Sequence, residues 1–286
     1  MFKIFFVVSL CLFLLVPPPV LAGVAEGKAA FVKQDYELAY KEWLPVAEAG
    51  HPEAAYLIAM MYREGLGVET DQSLALSWQR KAAELGHPRA QYLLARRYAE
   101  GDGFIKDQNQ FLYWLVKSAE GGFDFGQMVL ARMHLHGQLV EKNPQRAFEL
   151  LEKSASQGFA EAQYHLGTLY ETGVGTKLDK PSAFHWYESA AYKGNARAQS
   201  ELGVAYAEGK GVERDLTKAV EWISRAILNG DDTREIFLLA LIIDESEERV
   251  RENINKPEFV AQRIEIVDQK YFGIEPFKLL IGKYAE

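Results

Sequence analysis

Cysteine is almost absent: the chain holds one, Cys11, inside its first apolar stretch. Once that stretch is removed no thiol remains, which excludes a disulfide framework and any CxxC redox or zinc motif, so stability must come from packing. Catalytic signatures are missing as well. There is no H-E-x-x-H, no G-x-S-x-G and no phosphate-binding loop. Beyond residue 22 the longest apolar run, Ile236 to Ile243, is eight residues, which suits a buried helix and is too short to span a bilayer. Positive charge does not dominate either: 32 Lys and Arg face 40 Asp and Glu, a net charge of −8, which speaks against nucleic acid as a partner. No segment alternates at period two for long enough to build a sheet.

What is present begins with a leader. Lys3 precedes a mostly apolar run from Ile4 to Val16, then Pro17, Pro18 and Pro19, then the small-residue exit Val20-Leu21-Ala22. Residues 1–22 read as a signal peptide cut after Ala22, because a membrane anchor would need roughly 20 apolar residues and the prolines stop this run first. Cys11 lies inside the run instead of closing it, which argues against a lipoprotein. The mature chain is expected to be exported, periplasmic or secreted, with no stable membrane insertion. At 48% apolar and 25% charged residues it has ample material for a continuous core.

Five segments then line up at a spacing of 36 residues, opening at Ala54, Ala90, Gly126, Ala162 and Ala198. The register repeats Gly65, Gly101, Gly137, Gly173 and Gly209, and again Trp78, Trp114, Trp186 and Trp222. A fixed period in this range marks a solenoid whose units bury their apolar faces only against neighbours. In the type unit, 54–89, the repeated positions Ala54, Ile58, Ala59 and Tyr62 form one stripe of an amphipathic helix, which Gly65 stops. Asp71, matched by Asp107, Asn143, Asp179 and Asp215, is placed to cap a second helix carrying Ala75, Trp78, Ala82 and Ala83. On this reading the tryptophans are core, and Trp to Ala would cost roughly 3–5 kcal/mol if the ring is buried. A sugar-stacking ladder is the lesser alternative.

The pattern A-x-x-x-L-G-x-x-Y-x-x-G-x-G-V-x-x-D followed by A-x-x-W-x-x-x-A-A-x-x-G, seen most fully from Ala162 to Gly173 and from Ala198 to Gly209, resembles the Sel1-like repeat. The tetratricopeptide repeat is the nearest relative, with a period of about 34 and its tryptophan on the first helix. The resemblance implies an all-α superhelical solenoid of helix-turn-helix units: 54–89, 90–125, 126–161, 162–197 and 198–233. Residues 23–53 would form an N-terminal capping pair with a tighter turn near Gln34, and 234–286 a C-terminal helical cap. The third unit departs most, with His134 for Tyr, Leu139 for the second Gly and Leu150 for Trp.

No chemistry-bearing constellation stands out. His134 and His136 sit about 200° apart around a helix and cannot grip one ion together, and His165 and His185 read as surface histidines. The acidic run Asp244 to Glu248 lacks the turn glycine of a calcium loop and reads as a solvated helix end. No cofactor or metal is expected. Glycines such as Gly65 and Gly67 follow a helix, where a dinucleotide fingerprint follows a strand. The resemblance implies a non-catalytic adaptor or scaffold that holds a protein or peptide in a concave groove. Positions that vary between repeats mark its lining: Tyr56, Met60, Tyr92, Arg96, Arg132, His136, Tyr164, His165 and Thr168. The tyrosines among them could equally pack between neighbouring helices. Two other readings follow from the resemblance: a peptidoglycan- or β-lactam-directed enzyme, whose relatives carry paired cysteines that this chain lacks, and a fixed subunit of an envelope or motility complex.

Overall fold

The computed structural model describes residues 19–231, with side chains from residue 23. Residues 1–18 of the leader, the C-terminal cap expected at 234–286 and the acidic run within it lie outside the described residues. Every described element is a helix. The order is α1 Pro19–Val32, α2 Tyr36–Glu48, α3 Pro52–Glu64, α4 Gln72–Glu84, α5 Pro88–Glu100, α6 Gln108–Glu120, α7 Asp124–His136, α8 Pro144–Ser156, α9 Ala160–Thr172, α10 Lys180–Tyr192, α11 Ala196–Glu208 and α12 Leu216–Leu228. The chain divides at Asp107 into two units, one holding α1 to α5 and the other α6 to α12. In the first, α1 packs on α2 and α3 on α4, with α2 and α4 joining successive helices; in the second the same sequential packing runs from α6 to α12.

The repeated residues punctuate the helices as their chemistry demands. Asp71 Oδ1 accepts from the amides of Ser73 and Leu74 at 2.8 and 2.9 Å, Asn143 and Asp215 cap α8 and α12 in the same way, and Asp179 caps α10. The glycine that ends each first helix takes the left-handed conformation, with φ of 69° at Gly65 and 70° at Gly173. The second loop glycine serves a different end. A Cβ on Gly67 would overlap the carbonyl of Tyr36, one on Gly175 that of Pro144 and one on Gly211 that of Lys180, so these three loops seat on the start of the preceding second helix. In the third repeat Leu139 fills this place at φ 59°, and Gln34 in the short α1–α2 turn has φ 63°. A side chain in this region carries strain.

The core is built from alanine on both helices. Ala54, Ala90, Ala162 and Ala198 are wholly buried, as are Ala82, Ala83 and Ala190. The tryptophan stripe departs from the core expected of it. Trp222 is 7% exposed, but Trp78, Trp114 and Trp186 are only half-buried, flanked by Lys81, Tyr113 and His185. The fully interior position is the next residue along: Trp43, Leu115, Leu151, Tyr187 and Ile223, with buried Gln79 at the same place. A 100° step per residue accounts for this, because the ring leans on the rim of the packing stripe while its neighbour points into it. Size is traded across that contact. Where the inner residue is Trp43, Tyr187 or Ile223, the facing first-helix residue is Gly27, Gly167 or Gly203, and a Cβ on any of them would strike the larger side chain. Opposite Leu151 the register allows Ala131, which is wholly buried.

A glutamine ladder ties one repeat to the next. Gln91, Gln127, Gln163 and Gln199 are buried, and each donates its Nε2–H to the carbonyl of Ala83, Ala119, Ala155 or Ala191 at 3.1–3.2 Å, across the inter-repeat turn. Each bond adds a second donor to a carbonyl at the end of the second helix that the amide of Gly86, Gly122, Gly158 or Gly194 also reaches. Two of the glutamine oxygens are then met from just past the second helix of their own repeat, Gln127 by Gln157 at 2.9 Å and Gln199 by Asn229 at 2.8 Å. The Oε1 of Gln163 is buried without a partner, and Lys193 stands at the corresponding place.

Candidate interaction face

Burial along the first helices leaves one stripe open. It holds residues one before the repeat start and three, six and ten after it, a 4-3-4 spacing that keeps to one side of a helix. On α3 these are Glu53, Leu57, Met60 and Glu64, and on α5 Arg89, Leu93, Arg96 and Glu100. In the second unit α7 offers Phe125, Val129, Arg132 and His136, α9 Glu161, His165, Thr168 and Thr172, and α11 Arg197 and Glu201. Of the residues expected in the groove, Met60, Arg96, Arg132, His136, His165 and Thr168 belong to this stripe.

The three tyrosines do not. Their position turns inward, since its counterparts Met128 and Ser200 are buried. Tyr56 is half-buried and its ring stacks on His87 at 4.4 Å, nearly parallel. Tyr164 lies against His165 and Tyr187, with centroids 5.2 and 6.0 Å away. Burial pushes the phenols of Tyr92 and Tyr164 upward. Thr168 is also partly committed: its hydroxyl donates to the Tyr164 carbonyl and lies 3.3 Å from that of Tyr187, whose proton goes to Glu171 at 2.7 Å; burial and that bond hold the Tyr187 phenol protonated. Tyr residues at first-helix offsets look alike in sequence; only the 100° difference between neighbouring offsets separates packing from exposure.

The edge of the stripe at the helix N-termini holds an inter-repeat clasp that sequence reasoning missed. His87 caps α5 by accepting the Ala90 amide on Nδ1 at 3.2 Å, which leaves its proton on Nε2 to be donated to Glu53 at 2.9 Å. Lys28 grips the other Glu53 oxygen at 2.9 Å. Burial pushes His87 down, with Glu53 opposing, while Lys28 and His87 outweigh the burial of Glu53 and lower its carboxyl. At the same register in the second unit Asn195 caps α11 and donates to Glu161 at 2.8 Å. Between Phe125 and Phe159 the polar clasp is replaced by an edge-on ring contact at 5.7 Å. The signal was available: capping-type residues preceding each first helix, thirty-four residues after a glutamate.

Electrostatics single out the middle of the second unit's stripe. Glu161 is shared by Asn195, by His165 Nε2 at 3.5 Å and by Arg197 at 3.7 Å. His165 is pushed down by burial, against Glu161, with Arg132 and Arg197 adding to the depression, so its imidazole is neutral near pH 7. Arg96 in the first unit instead pairs with Glu100 at 3.6 Å along its own helix. A cleft of ≈ 290 Å³ between α10 and α11 is lined by Glu171, Tyr187, Glu201 and Lys210 among others. There Glu171 is engaged by Tyr187 and Lys210 by Glu208 at 2.6 Å, an arrangement of internal ties with no nucleophile and base in reach of each other. Among the described residues no three His, Cys, Asp or Glu side chains group as metal ligands, and no helix is long and apolar enough to cross a membrane.

Comparison with known proteins agrees with this architecture. The Sel1 repeat family model matches residues 21–41, 52–87, 88–123, 125–159, 160–195 and 196–231. A protective antigen of uropathogenic Escherichia coli strains displaying an SLR fold is 30% identical with a TM-score of 0.65, over 80% of this chain; the chain spans 49% of that protein. A Sel1 repeat protein from Oxalobacter formigenes is 28% identical with a TM-score of 0.64, covering 88% of this chain and 97% of its own. No curated protein matches the chain. Sel1 repeats generally mediate protein–protein interaction. With matched repeats over most of the chain, an all-α repeat fold and the alanine, glycine and glutamine positions that build it, the protein belongs to the Sel1 repeat family.

Proposed function

We propose that the protein is a non-catalytic scaffold of the cell envelope, exported to the periplasm, that holds a protein or peptide partner on the open stripe of its first helices. The observation that carries this reading is the contrast between positions. Residues committed to packing repeat their identity, Ala at the repeat start and Gln beside it, whereas the stripe changes chemistry at every helix, from Glu53 and Leu57 to Phe125 and Arg132 to Glu161 and His165. A surface relieved of packing and varied in charge and shape is where a solenoid can encode a partner.

Site-specific photo-crosslinking in the native host tests it. A crosslinker at Thr172 should join the partner, and one at Lys153, on an exposed second-helix position, should not. Equal crosslinking from both places would refute the assignment of the face. The export half of the reading is checked separately: the periplasmic fraction should contain a chain that begins near Gly23, and recovery of an uncleaved membrane form would overturn it.

A further inference from the structure

Among the described residues the second unit's stripe contains a cation without a counter-ion. Arg63, Arg96, Arg97, Arg146, Arg197 and Arg225 all pair with carboxylates. Arg80 and Arg89 lie over the rings of Phe104 and Tyr56, and Arg214 donates to the Ala207 carbonyl. Among the described residues Arg132 is the one arginine with no carboxylate, ring or carbonyl partner. It is exposed on α7, between Val129 and His136, and the adjoining stripe of α9 offers His165, Thr168 and Thr172. The acid nearest on that face, Glu161, already serves Asn195, His165 and Arg197. A guanidinium is a fork of donors shaped for a carboxylate, and this stretch of surface supplies none.

From these observations we infer that Arg132, with His165 beside it, is a receptor for the acidic side chains of an extended partner segment laid across α7 and α9. The inference rests on the first-helix face being the partner site and adds the chemistry of the partner. A carboxylate docked on Arg132 cancels the positive charge that His165 feels from that side. The groups around His165 are Glu161 and Tyr164 on its own helix, Arg132 on α7, and Arg197 with Glu201 on α11. With Arg132 neutralised, the incoming acid joins Glu161 in opposing the burial and the Arg197 charge that hold His165 neutral, so the imidazole shifts upward on binding and the segment binds more tightly as the pH falls.

The probe is an N-acetylated, C-amidated hexaglutamate, with hexaglutamine of the same ends as control, titrated into the mature protein at low salt while the His165 ring resonances are followed by NMR. Hexaglutamate should bind, move the His165 titration upward and weaken with salt; hexaglutamine should not bind. Arg132→Gln should weaken hexaglutamate about tenfold or more, and Arg146→Gln, on the second helix α8 and already paired with Glu149, should leave it unchanged. Absence of hexaglutamate binding, equal binding of both peptides, or retained affinity in Arg132→Gln each overturns the inference. A partner that crosslinks at Thr172 while Arg132→Gln holds hexaglutamate as well as wild type would sink this inference and leave the scaffold reading standing.

Discussion

Substitution of Lys193 by Asn should make the protein more stable, and the structure gives the reason in the ladder of buried glutamines. At Gln127 and Gln199 the side-chain oxygen accepts from Gln157 or Asn229, thirty residues on, but the Gln163 oxygen is buried with no partner. Residue 193 occupies the place of the missing donor. Its backbone, φ −89° and ψ 7°, is nearly that of Asn229, φ −90° and ψ 10°, so an asparagine there would present its amide as Asn229 does. Satisfying a buried acceptor is worth about 1–3 kcal/mol, and the loss of the exposed Lys193 bond to the Gly158 carbonyl offsets about a third of that. A net gain near 1 kcal/mol raises Tm by about 2–4 °C for a chain of this size. Calorimetry of Lys193→Asn alone and in a Gln163→Leu background measures it. The gain should vanish when the acceptor is absent. A rise of equal size in both backgrounds, or a lowered Tm in the single variant, would refute the ladder argument.

Three further substitutions test other parts of the fold. Leu139→Gly should stabilise by about 1 kcal/mol in chemical denaturation, because it removes a side chain from a left-handed residue that is 48% exposed and has little packing to lose; an unchanged midpoint would show that the strain is absorbed elsewhere. Gly167→Ala should destabilise by about 1–3 kcal/mol, since its Cβ would lie 2.7 Å from the Tyr187 ring, and Tyr187→Leu in the same chain should recover part of the loss. His87→Asn should keep the cap of α5, as Asn195 does for α11, but remove an acid-dependent step. The folded state holds the His87 pKa below its unfolded value of about 6.5, so its contribution is present above that pH and is lost as the pH falls through the lower, folded value. Thermal melts of wild type and His87→Asn should therefore diverge between neutral pH and about pH 5, with the wild type losing more; parallel curves would contradict the neutral-cap geometry.

Most of the fold was legible because a repeat multiplies each signal. Asp71 alone is a common residue, but Asp71, Asn143, Asp179 and Asp215 at one register are a cap, and the left-handed glycines are equally plain. The tryptophans misled for a physical reason. Large rings among alanines suggest a core, yet one residue of phase decides whether a ring points into the helix pair or lies along its rim, and Trp78, Trp114 and Trp186 lie along the rim. The same phase separates the two readings of Tyr56, Tyr92 and Tyr164, which the structure sets on the packing side of the helix. Pairwise features were the hardest to see. The Gln163 to Ala155 bond and the His87 to Glu53 clasp join residues whose meeting depends on how consecutive units stack, which no single repeat encodes.

That distinction also explains where specificity can reside. Each repeat must satisfy its neighbours through the alanine stripe, the loop glycine and the glutamine bond, so changes there alter stability before they alter recognition. The clasp is the first level at which the units differ, being a bond from a neutral imidazole to a carboxylate at His87 and Glu53, aromatic at Phe125 and Phe159 and amide-based at Glu161 and Asn195, yet in each the two side chains satisfy one another. One turn further along the first helices that mutual satisfaction ends. Arg132 shares its stripe of α7 with Val129 and His136 and acts on His165 of α9, none of which is an acid, and among the described residues its charge has no partner. Exposed charges of this kind contribute little to stability and much to the rate and selectivity of encounter. On the proposed reading, the means of discrimination then lie in the few stripe residues that the ties leave out.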